Sequence, residues 1–310
     1  MPEVRFGAQL WSQAGDWPDY LSAAIAADAA GWDSVWTWDH LTAIQGPWEQ
    51  PIFEGWLALG AFAARTSRVR LGLMVGANTF RSPGHTAKLA TTLDHASGGR
   101  AVLGLGAAYV DREHDAFDIA FGRSPGERLA WLDESVGLIR RLLDGELVTS
   151  DGPRYRLHDA LVRPRPLQAH LPILIGGSGP RKTLPIIARH ADGWNTAGTL
   201  DEVLARDALL REHCAVVGRD PASIERTISF PIIIRDDPAA AESVYRAICA
   251  HNGIDAITGM PVLLGPPELV ADRLRPYVAH GFATVIVRLP APYDAETIAR
   301  IDEVRAALAG

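Results

Sequence analysis

Short apolar runs alternate with amphipathic stretches along almost the whole chain. Eight runs have the length of strands and cover residues 4–10, 34–38, 69–75, 101–105, 172–175, 192–195, 227–234 and 284–287. The stretches between them have helical spacing, and the spacing is clearest at Leu129, Leu132, Val136, Ile139 and Leu143. Further helices are predicted from residue 17 onwards and over 53–64, 83–95, 180–189, 201–217, 238–250, 267–279 and 295–308.

This alternation predicts an α/β fold, a single (β/α)8 TIM barrel with insertions in the loops at its C-terminal face. A doubly wound parallel sheet is the alternative. It is disfavoured because Gly104 and Gly106 supply only the first two glycines of the dinucleotide fingerprint. We expect one domain over residues 1–310, with a polar, hairpin-like insertion at about 146–171 and a mobile loop at about 251–265.

Composition narrows the class of protein. The chain has 310 residues, of which 47% are hydrophobic and 22% charged, as in a globular protein with a sizeable core. A net charge of −7 without a basic cluster argues against nucleic acid and anionic membranes as partners. The first five residues lack a signal-peptide pattern, and Cys214 and Cys249 form no CxxC pair. A cytoplasmic protein without a metal site is therefore expected.

His40 is the main candidate for proton chemistry, because it follows the second predicted strand and barrel sites collect at strand C-termini. A solvated loop histidine is the alternative interpretation. Asp39 is a candidate partner for His40, although strand alternation can point the two side chains apart. The neighbouring Trp38, together with Trp11 and Trp48, is a candidate for stacking on an aromatic cofactor.

Glycine-rich turns follow two other predicted strands. The segment from Gly176 to Gly179 leads towards a helix and is a candidate phosphate site, with a plain strand-to-helix turn as the alternative. After the third strand, Gly76 and Asn78 are candidates for lining a flat ligand, unless Gly76 only relieves a barrel corner. The charged run 111–115 is interpreted as solvated.

Taken together, separated stretches from about residue 5 to 290 resemble one family. The matching stretches are Ser34 to Trp36, Asp39-His40, Arg65 to Gly72, Asn78 to Pro83, Lys88 to Asp94, Ser97 to Arg100, Gly104 to Ala107, Gly176 to Gly179, Ala191 to Asn195 and Pro267 to Val270. In order and spacing they are similar to the luciferase-like monooxygenase superfamily, in its branch that depends on the deazaflavin coenzyme F420.

The resemblance implies a ring-shaped cofactor lying over the barrel mouth, backed by a non-proline cis peptide at Met74–Val75. It also implies that Gly106 and Ala107 face the ring and that the 176–179 turn holds the phosphate. The candidate cofactor-binding residues are therefore Trp38, Met74, Val75, Gly76, Asn78, Gly106, Ala107, Gly176, Gly177, Ser178 and Gly179.

Dehydrogenases of this family place a histidine, a tryptophan and a glutamate near the reacting carbon. By resemblance His40 matches the histidine, whereas Ile44 and Tyr109 stand at the other two positions. We expect His40 to act as acid or base and Tyr109 to contact the ring or substrate while a hydride moves to or from coenzyme F420.

Two other functions remain open at the level of sequence. One is a monooxygenase that uses reduced FMN and oxygen, and the other is a flavin-binding barrel without turnover. A small organic substrate is expected beneath the loops 41–51 and 251–265. The family also suggests a homodimer and a flavin or F420 reductase that supplies the reduced cofactor.

Overall fold

A ring of parallel strands forms the centre of the protein in the computed structural model, which describes residues 3–310. Met1 and Pro2, part of the segment inspected for a signal peptide, lie outside the described residues. The ring strands are β1 (Arg5–Leu10), β2 (Ser34–Thr37), β3 (Arg70–Leu73) with its short continuation β4 (Gly76–Ala77), β5 (Ala101–Gly106), β8 (Ile173–Gly176), β9 (Gly193–Thr196), β10 (Glu225–Ile234) and β12 (Thr284–Leu289).

The ring is closed, because β12 pairs with both β1 and β10 and every neighbouring pair is parallel. The order around it is β12, β1, β2, β3, β5, β8, β9 and β10. This is the predicted (β/α)8 barrel, and the doubly wound sheet is excluded. In such a ring β12 stands opposite β5, a relation that matters for the site.

Helices cover the outside of the ring. They are α1 (Trp17–Ala29), α2 (Gly55–Arg65), α3 (Pro83–Ser97), α4 (Asp111–Ala116), α5 (Pro125–Leu143), α6 (Thr183–His190), α7 (Leu200–Val216), α8 (Pro238–His251), α9 (Pro267–Ala279) and α10 (Ala295–Ala309). Buried aliphatic and aromatic side chains fill the layer between helices and strands, which is the main core. No helix in the described part of the chain is both long and apolar enough to cross a membrane.

Local signals set most helix ends. The side chains of Asp16, Ser82 and Ser124 cap the starts of α1, α3 and α5 by accepting backbone N–H groups. Gly98 ends α3 in the left-handed conformation, at φ 68°. The prediction for α6 was three residues too long at its start, because the helix begins at Thr183 rather than at Pro180.

The predicted hairpin insertion is present as β6 (Val148–Asp151) and β7 (Arg156–Ala160), which pair antiparallel outside the ring. The predicted loop 251–265 contains a further strand, β11 (Leu263–Gly265), which pairs with the end of β10. Asn252 at the start of this loop is buried, and its amide donates to the carbonyls of Ile248 and Ala291. Mobility of the rest of the loop stays a prediction.

The loop after β2 and the loop after α8 meet over the barrel mouth. Gln50 Nε2 donates to the carbonyl oxygen of Asn252 at 3.0 Å. Gly46 has φ 69°, and a Cβ added there would lie 2.1 Å from the same carbonyl oxygen, so the contact requires glycine. The two loops are therefore joined at one point above the mouth.

Candidate active site at the carboxyl end of the barrel

A cavity of about 310 Å³ lies at the carboxyl ends of the barrel strands, where function is expected in this fold. Most of the predicted site residues line it, namely Trp38, His40, Met74, Val75, Gly76, Gly106, Ala107, Tyr109, Gly176 and Gly177. These residues come from distant parts of the sequence. The barrel brings them together because its parallel strands all end at the same face.

His40 follows β2 and is held by a carboxylate that sequence reasoning missed. Its Nδ1 lies 2.9 Å from Glu113 Oε1, and Glu113 Oε2 accepts the backbone N–H of Leu41 at 2.9 Å. Because a carboxylate only accepts hydrogen bonds, Nδ1 carries the ring hydrogen and Nε2 of the neutral imidazole keeps its lone pair. Within residues 3–310 Nε2 has no hydrogen-bond partner, and His40 lines the cavity.

The interpretation of the run 111–115 as solvated is wrong for two of its members. Glu113 and His114 on α4 are each only 1% exposed, whereas Asp111, Arg112 and Asp115 are exposed. The sequence signal for Glu113 was its place shortly after a barrel strand, four residues beyond Tyr109.

His114 has both ring nitrogens engaged inside the protein. Its Nδ1 donates to the carbonyl oxygen of Val110 at 2.6 Å, and Nε2 lies 2.7 Å from Thr79 Oγ1. The ring is therefore part of the packing beneath α4, and its nitrogens are committed to these partners.

Asp39 turns away from His40, so its proposed role as the partner of His40 is wrong. Its carboxylate accepts two hydrogen bonds from Arg81, at 2.7 and 3.0 Å, and one from the backbone N–H of Ala77 at 2.8 Å. Burial raises the pKa of Asp39 above its usual value, and Arg81 opposes that rise. Asp39 therefore fixes the bulge between β3 and α3 instead of orienting the histidine.

The floor of the cavity is flat because glycines surround one valine. The peptide bond Met74–Val75 is cis, as predicted, and Val75 is the half-buried residue of the bulge. A Cβ added at Gly106 would lie 2.7 Å from Val75 Cγ2, and one at Gly176 would lie 3.0 Å from Val75 Cγ1. Larger residues at either glycine would displace Val75, so this floor suits the face of a planar ring.

Aromatic side chains stand on the rim beside His40. The rings of Trp38 and Tyr109 lie 6.0 and 5.8 Å from the imidazole, both edge-on. Trp38 packs on buried Trp11 at 4.5 Å, whereas Tyr109 is 67% exposed. Ala108, the residue before Tyr109, has φ 61°, which is unusual for a residue with a Cβ.

Some predicted residues do not line the cavity. Asn78 lies in a short 3-10 helix after β4, where its amide donates to Tyr155 Oη at 3.1 Å, and its contact with a ring stays a prediction. Trp48 is 46% exposed and lies under the guanidinium of Arg112, and Trp11 lies behind Trp38. Ser178 and Gly179 continue the turn beyond Gly177, and their phosphate role stays a prediction.

Three polar residues of the cavity wall had no assigned role in the sequence prediction. Gln9 donates from Nε2 to the carbonyl oxygen of Met74 at 2.9 Å. Asn195 donates from Nδ2 to Thr227 Oγ1 at 2.8 Å, so its amide is fixed. Arg288 lies near the end of β12, one residue past the predicted end of the strand at residue 287.

A second cavity, of about 650 Å³, lies at the opposite end of the barrel. Its charged side chains include Arg5 paired with Glu225 at 2.9 Å and Arg226, which forms an ion pair with Asp207 at 2.8 Å. The amino-terminal face of this fold serves stability, and paired charges agree with that role. The smaller cavity therefore remains the candidate active site.

The sequence profile of the family described as luciferase-like monooxygenase matches residues 4–284. The chain is also 37% identical over 298 residues to an F420-dependent glucose-6-phosphate dehydrogenase of Kineococcus radiotolerans, a match that covers 86% of each chain.

Solved structures share the fold. A coenzyme F420-dependent tetrahydromethanopterin reductase from Methanopyrus kandleri matches with a TM-score of 0.79, 22% identity and 99% coverage of each chain. An F420-dependent secondary alcohol dehydrogenase in complex with an F420-acetone adduct gives a TM-score of 0.83, 20% identity and the same coverage. At these identities the structural matches establish the fold alone.

Proposed function

Because this chain belongs to the luciferase-like monooxygenase family, we propose that it is an oxidoreductase that transfers a hydride between coenzyme F420 and a small organic substrate. The observation that carries the proposal is His40, whose Nδ1 is held by buried Glu113 while Nε2 has no partner within the described residues. The 37% identity to an F420-dependent dehydrogenase supports the choice of cofactor.

The cofactor ring would rest on the floor formed by the Met74–Val75 bulge together with Gly106 and Gly176. The turn from Gly177 to Gly179, which offers backbone N–H groups, would hold the cofactor phosphate. When bound, the deazaflavin supplies a centre that accepts or donates a hydride, which is two electrons with one proton.

His40 accepts or donates the remaining proton. When a substrate alcohol is oxidised, its C–H bond loses the hydride and Nε2 accepts the hydroxyl proton, leaving a carbonyl group. When a carbonyl is reduced, Nε2 returns that proton to the oxygen. The carboxylate of Glu113 keeps the other ring hydrogen on Nδ1 and stabilises the imidazolium that forms, so His40 and Glu113 act as a pair.

The substrate would occupy the space between the floor and the rim of Trp38, Ile44 and Tyr109. A cavity of about 310 Å³ is at the small end of ligand sites, which favours a small molecule. Ile44 and Tyr109 replace the tryptophan and glutamate expected of dehydrogenases in this family. We therefore propose that the substrate differs from that of the sugar-phosphate enzymes. The homodimer, the supplying reductase and the cytoplasmic location stay predictions.

Separate fluorescence titrations with oxidised F420 and with FMN test the cofactor. We expect saturable binding of F420 and weak or no binding of FMN. Tight FMN binding without F420 binding would favour the monooxygenase, and binding of neither would remove the redox function.

The histidine is tested by turnover of a panel containing glucose 6-phosphate and small secondary alcohols. His40→Ala should lose most of the turnover and keep its F420 affinity. His158→Ala is the matched control, because the His158 side chain is 92% exposed on the insertion hairpin. Undiminished turnover in His40→Ala would show that another group moves the proton.

A further inference from the structure

Arg288 is a half-buried cation without a partner in the wall of the candidate active site. Within residues 3–310 its guanidinium makes no hydrogen bond and no ion pair, and its Nε is fully buried. Several other arginines of low exposure differ in this respect. Arg81 and Arg226, for example, both form ion pairs with aspartates. An unpaired buried charge is costly, so its persistence at a cavity calls for a ligand.

The surroundings of Arg288 lack a protein carboxylate to neutralise it. Burial lowers the pKa of Arg288 to about 10, and the nearby Tyr109 offsets part of that effect. Gln9 faces Arg288 in the register of β1 and β12, and Gln9 Oε1 is also buried without a partner. This part of the wall therefore presents a cation and an amide, both with unused hydrogen-bonding capacity.

The position of Arg288 separates it from the floor that would hold the cofactor ring. That floor comes from the bulge after β3 and from the ends of β5 and β8, whereas Arg288 lies on β12, opposite β5 in the ring. Tyr109 lies close to Arg288 and, with its ring 5.8 Å from that of His40, also close to the proposed proton-transfer group. A small molecule in this cavity would therefore reach both the guanidinium and His40.

We propose that Arg288 binds a carboxylate of the substrate, so that the substrate class is small hydroxy or oxo acids whose reacting carbon lies beside His40. The planar fork of a guanidinium matches a carboxylate with two parallel hydrogen bonds. A phosphate group matches the same fork, so inorganic phosphate is one arm of the test. The inference rests on the proposed function, because it names the substrate of the same site.

The first test uses the protein without cofactor, so that it does not depend on turnover. Thermal shift and calorimetric titration would compare lactate, pyruvate and benzoate with lactamide and benzamide, at constant ionic strength. We expect the acids to bind and the amides to bind at least about 10-fold more weakly, since a charge-assisted pair is lost. Inorganic phosphate is included as a competing anion.

Variants assign the effect to Arg288. Arg288→Gln should abolish the preference for acids over amides, and Arg288→Lys should keep part of it because the charge remains. Arg123→Gln is the control, because Arg123 is 93% exposed and does not line the cavity. With turnover established, Arg288→Gln should raise KM for a hydroxy acid about 10- to 100-fold and affect a neutral alcohol less.

The outcomes separate this inference from the proposed function. Three results would each overturn the carboxylate assignment, even if F420 binds. They are equal binding of acids and amides, binding of phosphate but not of carboxylates, and unchanged selectivity in Arg288→Gln. A loss of F420 affinity in Arg288→Gln without a change in acid selectivity would also overturn it and assign Arg288 to the cofactor. Acid binding through Arg288 in a protein that binds no F420 would support the subsite and remove the redox function.

Discussion

Replacing Arg81 by glutamine leaves the Asp39 carboxylate buried without its cation. The Asp39 side chain is 2% exposed and that of Arg81 14%, and two hydrogen bonds join them. In Arg81→Gln the carboxylate keeps only the N–H of Ala77. Because this N–H belongs to the end of the bulge, the perturbation acts on the cavity floor as well as on stability.

The expected loss follows from the burial of the pair. Removing one partner of a buried ion pair typically lowers the free energy of unfolding by about 3–5 kcal/mol, and Arg81 at the edge of the protein places the loss near the lower value. For a chain of this length, about 1.5 °C of melting temperature corresponds to 1 kcal/mol, so Arg81→Gln should melt about 5 °C lower.

The loss should depend on pH in one direction. Burial already raises the pKa of Asp39 above its usual value, and removal of Arg81 raises it further. A folded-state pKa above the unfolded value means that ionisation removes stability as pH rises from about 4. The difference between wild type and Arg81→Gln should therefore be small near pH 4.5 and largest near pH 8.

Urea unfolding followed by circular dichroism at both pH values measures the difference, with Arg123→Gln as the exposed control. In a double-mutant cycle, Asp39→Asn should remove most of the penalty of Arg81→Gln. The reasoning would be refuted if Arg81→Gln lowered the free energy of unfolding by less than about 1 kcal/mol or by an amount independent of pH. Additive effects of the two single mutations would refute it as well.

Three further predictions concern other contacts. Glu113→Gln should lower turnover about 10-fold or more without changing F420 affinity, because it weakens the charge-assisted hydrogen bond to His40. Unchanged steady-state rates would contradict this prediction. Burial tends to raise the pKa of Asp28, but hydrogen bonds from three consecutive backbone N–H groups and a hydroxyl lower it overall. Asp28→Asn should therefore lower the free energy of unfolding in urea by about 1–3 kcal/mol at neutral pH, and by less as the pH falls through the depressed pKa. Ala108→Gly should leave the free energy of unfolding unchanged or raise it by up to about 1 kcal/mol, since glycine adopts the left-handed conformation without strain. Ala299→Gly, at an exposed position of helix α10, should instead lower it by about 1 kcal/mol.

Periodicity was sufficient to predict the barrel, because each strand and helix shows its own spacing of apolar residues. It also placed most of the site, since parallel strands that close into a ring must bring their ends to one face. The cis peptide at Met74–Val75 was confirmed as well, although it was predicted from the resemblance and not from spacing.

The errors arose where a side chain's direction depends on tertiary contacts. Glu113 looked solvated in a charged run, and only the folding of α4 against the end of β2 buries it. The amide of Asn78 is bound to Tyr155 in the short 3-10 helix after β4, so its direction also follows from tertiary contacts. Arg288 received no role because its position at a strand end does not show that its guanidinium lies in the mouth without a protein partner.

The segment that follows β5 and runs into α4 carries Ala108, Tyr109 and Glu113 on one short length of chain. A rim residue that contacts the mouth and the carboxylate that holds His40 are therefore encoded within six residues, 108–113. Exchanging this segment between relatives would transfer a rim residue together with the carboxylate that holds His40, whereas a point change at Tyr109 alone would alter the rim and keep the imidazole in place. In this barrel, the shape of the rim and the orientation of the imidazole are thus linked through one short segment.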